Sequence, residues 1–225
     1  GELYSQKGTF VTIDQISPNI QTAVVSTEDK RFYTHTGVDP IGIGRAAVGF
    51  VLNGGNIVGG GSTLTQQLAK NAYLTLDQTL IRKAKELFLA FEIESKYTKD
   101  EILEMYLNNA YFGSGVWGVE DASQKYFGKS ASEVSLSEAA VLAGILKSPS
   151  YYNPIDNYEA STDRRNTVLQ LLADNAFVDQ ATADAAIAED INVVDNYYAD
   201  SGYNYPYYFD AVINEAINTY GLDEE

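Results

Sequence analysis

The sequence predicts a mainly α-helical protein. Three observations carry that reading: apolar residues recur at three- and four-residue spacing through most segments, helix-start signals precede several of them, and few segments alternate with period two. With 225 residues, 45% of them apolar, the chain can bury a sizeable core as one compact domain. No stretch approaches the roughly 20 apolar residues needed to cross a bilayer, and no signal-peptide pattern opens the chain.

Taken in order, residues 9–13 alternate weakly and are read as a short strand or an extended lead-in. Ser17-Pro18 is an N-cap followed by proline at the first helical position, and Ile20, Ala23, Val24 and Thr27 mark the inner stripe of the helix it starts. Glu28 lies beside that stripe, where burial disfavours the charged carboxylate, and Asp29 lies away from it; an edge glutamate reaching water is the alternative for Glu28. Asp39-Pro40 ends the pattern. Residues 41–61 are apolar and glycine-rich with Arg45 as their only charge. They suit a mobile flap, a patch dipping into a lipid interface, or a buried core segment. Their glycines spell no nucleotide loop, since no Gly-Lys-Ser/Thr ending follows.

Residues 60–71 read as a helix start aimed at an anion. Gly60 and Gly61 free the backbone, Ser62 is a favoured N-cap, and the helix start carries unsatisfied N–H groups and partial positive charge. At 100° per residue, Thr63, Gln66, Gln67 and Lys70 share one face while Leu64 and Leu68 share another; a solvated polar face is the plainer alternative. The pattern resumes near Thr79, with Leu80, Ala84, Leu87, Phe88 and Phe91 as the apolar stripe. Arg82 and Glu86 sit opposite that stripe, with Lys83 at the edge.

Thr98 and Glu101 form a capping box for a helix that turns Ile102, Leu103, Tyr106 and Leu107 inward, and Lys99 in its first turn opposes the macrodipole. A short helix around 122–126 follows, then one capped by Ser135 with Glu138 and running to about Leu146. Arg164 and Arg165 open the next, with Val168, Leu171 and Leu172 inside, and Asp179 caps another through Ile187. The tyrosine-rich end closes in a helix over 209–220.

Composition narrows the chemistry. No cysteine and a single histidine, His35, argue against a thiolate metal site, an imidazole zinc site and a Ser-His triad. Carboxylates, amides, hydroxyls and cations remain. The net charge of −16 argues against nucleic acid as a partner, but it is uneven: residues 166–225 hold twelve acids and no Lys or Arg. A cationic island stands apart from that surplus, with Lys70, Arg82, Lys83, Lys85, Lys96 and Lys99 all between residues 66 and 99.

Five blocks occur in order: Glu28-Asp-Lys-Arg-Phe-Tyr-Thr-His35-Thr-Gly37, Gly61-Ser-Thr-Leu-Thr-Gln-Gln-Leu-Ala-Lys-Asn71, Arg82-Lys-Ala-Lys-Glu86, Lys99-Asp-Glu-Ile-Leu-Glu-Met-Tyr-Leu-Asn108 and Arg164-Arg-Asn-Thr-Val-Leu169. Together they resemble the peptidoglycan glycosyltransferase (transglycosylase) domain of class A penicillin-binding proteins, over roughly residues 10–175. The resemblance implies a mainly α, lysozyme-like fold with a larger globular lobe and a small membrane-facing jaw lobe. Residues 1–175 would be the domain core, with the jaw at about 38–80, and 176–225 the C-terminal helices and tyrosine-rich junction toward a transpeptidase domain.

It also implies polymerisation of lipid II into β-1,4-linked strands, with inversion and release of undecaprenyl pyrophosphate. Glu28 would be the general base, and Glu86 with nearby cations would assist the leaving group. Substrate-binding roles would fall to Asp29, Phe32, His35, Arg45, Ser62, Thr63, Gln67, Lys70, Asn71, Arg82, Lys83 and Lys99. No cofactor is required, although a divalent cation (Mg or Mn) suits a pyrophosphate, and no metal cage is visible. The expected partners are lipid II and the growing strand, with the jaw on the membrane surface at the extracytoplasmic face. The usual membrane anchor and the Ser-x-x-Lys of a transpeptidase do not occur here, so the chain reads as part of a longer bifunctional protein. The alternatives are a lysozyme-like glycan-cleaving enzyme and a non-catalytic glycan-binding module.

Overall fold

A computed structural model describes residues 8–52, 61–72 and 80–196. Nine α-helices are described: α1 (Pro18–Glu28), α2 (Pro40–Leu52), α3 (Leu64–Ala72), α4 (Leu80–Lys96), α5 (Lys99–Asn109), α6 (Val119–Phe127), α7 (Leu136–Ile145), α8 (Tyr158–Asp174) and α9 (Gln180–Ile187). The described residues hold no strand beyond one isolated bridge between Tyr111 and Trp117, so the mainly α reading stands. The lead-in forms no strand: Ile13–Gln15 turn into a short 3₁₀ helix, and the backbone of Val11 before it is bonded on both sides by one side chain, Asn108. The Asn108 side chain accepts from Val11 N at 2.9 Å and donates to Val11 O at 2.8 Å.

Helix starts follow local chemistry closely. Ser17 accepts from Asn19 N ahead of Pro18, Thr98 with Glu101 and Ser135 with Glu138 complete capping boxes, and Asp179 accepts from Thr182 N. Two boundaries differ from the sequence reading. Helix α8 begins at Tyr158 behind the cap Asn157, a turn and a half before Arg164 and Arg165, and it buries Leu169 where Leu171 was expected. Helix α3 is capped by Thr63 and not Ser62: Gln66 N donates to Thr63 Oγ1 at 3.1 Å while Thr63 N donates to Gln66 Oε1 at 2.9 Å. Of two neighbouring hydroxyls, the one with a glutamine three residues on wins, because it satisfies two helix-end groups at once.

The core centres on α7, which is apolar on every side and packs most heavily against α8 and α1. Helix α1 sends Ile20, Ala23, Val24 and Val25 into this core, and α5 sends Ile102, Leu103, Tyr106 and Leu107. Helix α3 buries Leu64, Thr65, Leu68 and Ala69 and packs on α4 and α5.

Helix α4 overturns its expected face. Glu86, Leu89, Ala90 and Ile93 are buried, whereas Ala84, Phe88 and Phe91 are exposed and Leu87 is half-buried. Periodicity found a real stripe, but that stripe faces outward. Helix α2 behaves alike: Ile41, Ile43, Val48, Val51 and Leu52 are exposed, and it packs substantially on none of the other described helices. Of the alternatives for residues 41–61, the buried core segment is therefore excluded for 41–52. The remainder of the expected jaw (53–60 and 73–79), Gly60, and the tyrosine-rich block with its helix over 209–220 lie outside the described residues.

Candidate active site

The last turn of α1, the start of α2, the approach to α3 and the end of α8 enclose a cavity of about 250 Å³. Its lining includes Glu28, Asp29, Arg45, Ser62 and Thr63 from the expected set, and Thr27, Lys30, Arg31, Leu171 and Asn175 from outside it.

Glu28 is the last residue of α1. Its Oε2 accepts from Gln67 Nε2 at 3.0 Å, and Gln67 Oε1 accepts from the Tyr106 hydroxyl at 3.2 Å. Burial raises the Glu28 pKa above the usual carboxylate range, as the sequence predicts; the Gln67 hydrogen bond and the charges of Arg164 and Lys147 pull against it. Those two cations were not assigned to this carboxylate beforehand. Arg164 comes from α8, Lys147 follows α7, and only the packing of those helices on α1 brings them close.

Asp29 corrects a prediction. The sequence places it away from the apolar stripe, but the chain leaves helical geometry there (φ −157°, ψ 71°), so a helical wheel no longer applies. The side chain is buried. Its Oδ2 accepts from Leu64 N at 3.0 Å and bonds His35 Nε2 at 2.7 Å, while Gly37 N donates to His35 Nδ1 at 3.1 Å. With Nδ1 accepting, Nε2 carries the proton toward Asp29. The start of α3 is thus aimed at an anion, as expected, but that anion is Asp29 of the protein itself.

Further residues of the expected set serve this same internal framework. Thr63, almost fully buried, donates to Gly37 O at 2.6 Å. Phe32 is buried with the Lys99 ammonium 4.6 Å from its ring centre, and Lys99 also bonds Glu94 Oε1 at 2.7 Å, which accepts from Thr65 Oγ1 at 2.7 Å. Lys99 at the start of α5 is therefore explained by Glu94.

The second carboxylate, Glu86, is buried on α4 and pairs with Lys83, which also donates to Ser62 Oγ at 3.1 Å. Ser62 lines the cavity, so Glu86 reaches its rim through Lys83. Arg82 is half-buried one turn before Glu86, Arg45 is exposed on the cavity wall, and Lys70 and Asn71 are exposed on the last turns of α3. Lys70, Asn71, Arg82 and Lys99 do not line the cavity. Among the described residues no group of three or more carboxylate or imidazole side chains is placed to hold a metal ion. Glu86 is already engaged by a lysine, so the donor set does not fit a resident cation and no step is assigned to one.

The transglycosylase family model matches residues 1–173. Penicillin-binding protein 2a of Streptococcus pneumoniae is 55% identical over 228 residues, covering all of this chain and 30% of that protein. Penicillin-binding protein 1A of Escherichia coli is 46% identical over 226 residues, covering 98% of this chain and 26% of that one. The chain thus spans about a third or less of these relatives' length. The crystal structure of penicillin-binding protein 1A from Haemophilus influenzae aligns with a TM-score of 0.41 at 31% identity, over 70% of this chain and 20% of that one.

Proposed function

The chain belongs to the transglycosylase family, as the glycosyltransferase domain of a class A penicillin-binding protein, and from that premise we propose that it polymerises lipid II with Glu28 as general base. One observation carries the assignment: Glu28, with a raised pKa, lines the same cavity as Arg45 and Ser62, with the Lys83–Glu86 pair attached to Ser62. Gln67 holds one oxygen of Glu28, and the other takes the proton of the acceptor sugar's 4-hydroxyl. As the acceptor's 4-hydroxyl oxygen attacks the anomeric carbon of the donor from the opposite face, the carbon–oxygen bond to undecaprenyl pyrophosphate breaks and the centre inverts. A base with a pKa moved toward the working pH suits this proton transfer. The charge growing on the pyrophosphate is met by Lys83, oriented by Glu86, and by Arg45.

The lysozyme-like alternative needs an acid at a neutral leaving oxygen. Glu86 is tied to a lysine, which suits an anionic leaving group better. The exposed apolar side chains of α2 and α4 would rest on the extracytoplasmic membrane surface that presents lipid II, and a transpeptidase domain would follow in the full protein.

Incubation with lipid II in mild detergent tests the reading. Glycan polymer is expected from the wild type, and Glu28→Gln should lower the rate by about 10²–10⁴-fold, the usual worth of a positioned general base. Full polymerisation by Glu28→Gln would overturn the base assignment. Shortened sacculus fragments would make the protein a hydrolase, and binding without turnover would make it a glycan-binding module.

A further inference from the structure

We propose that Tyr106 is a positioning residue for the general base, its hydroxyl fixing the Gln67 amide in the orientation that presents N–H, and not C=O, to Glu28. The chain of contacts is short and directional. Tyr106 Oη donates to Gln67 Oε1 at 3.2 Å, and Gln67 Nε2 donates to Glu28 Oε2 at 3.0 Å. Tyr106 is buried on α5, Gln67 sits on α3 and Glu28 ends α1, so three helices meet in one hydrogen-bonded line.

An amide is ambivalent: turned one way it donates to a carboxylate, turned the other way it accepts from a carboxylic acid. An ionised Glu28 offers only acceptors, so it requires the N–H end. Satisfying the amide oxygen from behind with a phenol stabilises that orientation and therefore the ionised base. Tyr106 is suited to the task because its own proton is secure: burial, and the nearby charge of Glu28, hold its pKa well above the usual phenol range. The groups that bear on Glu28 from the other packed elements are Arg164 of α8, Lys147 after α7, and Asp29 next in the chain. None of these lies on α5, and Tyr106 makes no hydrogen bond to Glu28 itself among the contacts described. Its action runs through Gln67.

The inference rests on Glu28 being the base, and the test separates the two. Polymerisation rates against pH are measured for the wild type, Tyr106→Phe, Gln67→Leu and the double variant, alongside the Glu28 titration followed by ¹³C NMR and assigned with Glu28→Gln. Without the phenol the amide turns freely and the protonated carboxyl gains a partner. Tyr106→Phe should then move the Glu28 titration and the acidic limb of the rate profile upward by about 0.5–1 pH unit, the worth of one net hydrogen bond, with KM for lipid II little changed. In the Gln67→Leu background the same substitution should produce no further shift. A fluorinated tyrosine placed at 106, a stronger donor, should move the titration the other way.

An unmoved Glu28 titration in Tyr106→Phe, with only a lower Tm, would reduce Tyr106 to a packing residue and overturn the proposal. An additional shift in the Gln67→Leu background would overturn the route through Gln67. A titration that moves as expected while the rate limb stays fixed would support the positioning role and reject Glu28 as the base.

Discussion

The two walls of the cavity are built in opposite ways. The wall that carries Glu28 comes from the end of α1 and the end of α8, backed by α3 and α5, all seated in the core, and its polar groups are held by one another: Tyr106 by Gln67, Gln67 by Glu28, Leu64 N by Asp29, Asp29 by His35. The other side, from α2 with α4 behind Ser62, has an ion pair in which only Glu86 is buried and large apolar side chains in solvent, among them Val51 at 75% and Leu52 at 78% exposure. A proton transfer needs a base held in one geometry, away from bulk water. Delivery of a substrate on a lipid tail needs an apolar surface left open. The asymmetry suits both demands, and it can be broken from either side.

The largest effect should come from Asp29. Replacing it with alanine strips a partner from the buried Leu64 N–H and from His35, at about 1–3 kcal/mol for each group left unsatisfied. Thermal unfolding of Asp29→Ala should show a correspondingly lower Tm. A wild-type Tm would mean that the start of α3 is held by something other than this carboxylate.

A smaller effect, of opposite sign, is expected at Glu28. Its folded pKa is raised, so its favourable contribution is fully present below the ordinary carboxylate value of 4.5 and is lost as pH rises through the folded value. Glu28→Gln should therefore unfold at a higher temperature than the wild type near neutral pH, with the difference closing as the solution is acidified. A constant difference across pH would disconnect the raised pKa from stability.

On the other side, Val51→Asp combined with Leu52→Asp should leave stability within about 0.5 kcal/mol, because neither side chain is buried. Sedimentation with phospholipid vesicles should nevertheless fall. Unchanged vesicle binding would move the membrane contact elsewhere, and unfolding would show that α2 packs more tightly than its exposure indicates.

Much of this architecture was legible where the signal was local. The caps at Ser17, Thr98, Ser135 and Asp179 are each a side chain bonding a backbone N–H two or three residues ahead, and all four stand. The raised pKa of Glu28 followed from its place beside the stripe of α1. What failed depended on the surroundings of an element. The apolar stripe of α4 was found and then turned the wrong way, since periodicity identifies a face and not what it meets. Asp29 was misplaced because a wheel was continued one residue past the end of its helix. Lys147 and Arg164 could be tied to Glu28 only once α7 and α8 had folded against α1. Tyr106 was assigned inward correctly, yet nothing local marks the hydroxyl at its tip as part of the site.

The occupation of the α3 start by Asp29 bears on how any anion in the cleft is held. A free helix end would be a fixed, partly buried positive pole. In the proposed mechanism the task falls to Arg45 and Lys83, charges on flexible stems with access to solvent. Counter-ions screen such charges over about 8–10 Å at physiological ionic strength, whereas the buried Asp29 contact is largely shielded from them. Added salt should therefore loosen the grip on a pyrophosphate while leaving the helix that carries Gln67 in place.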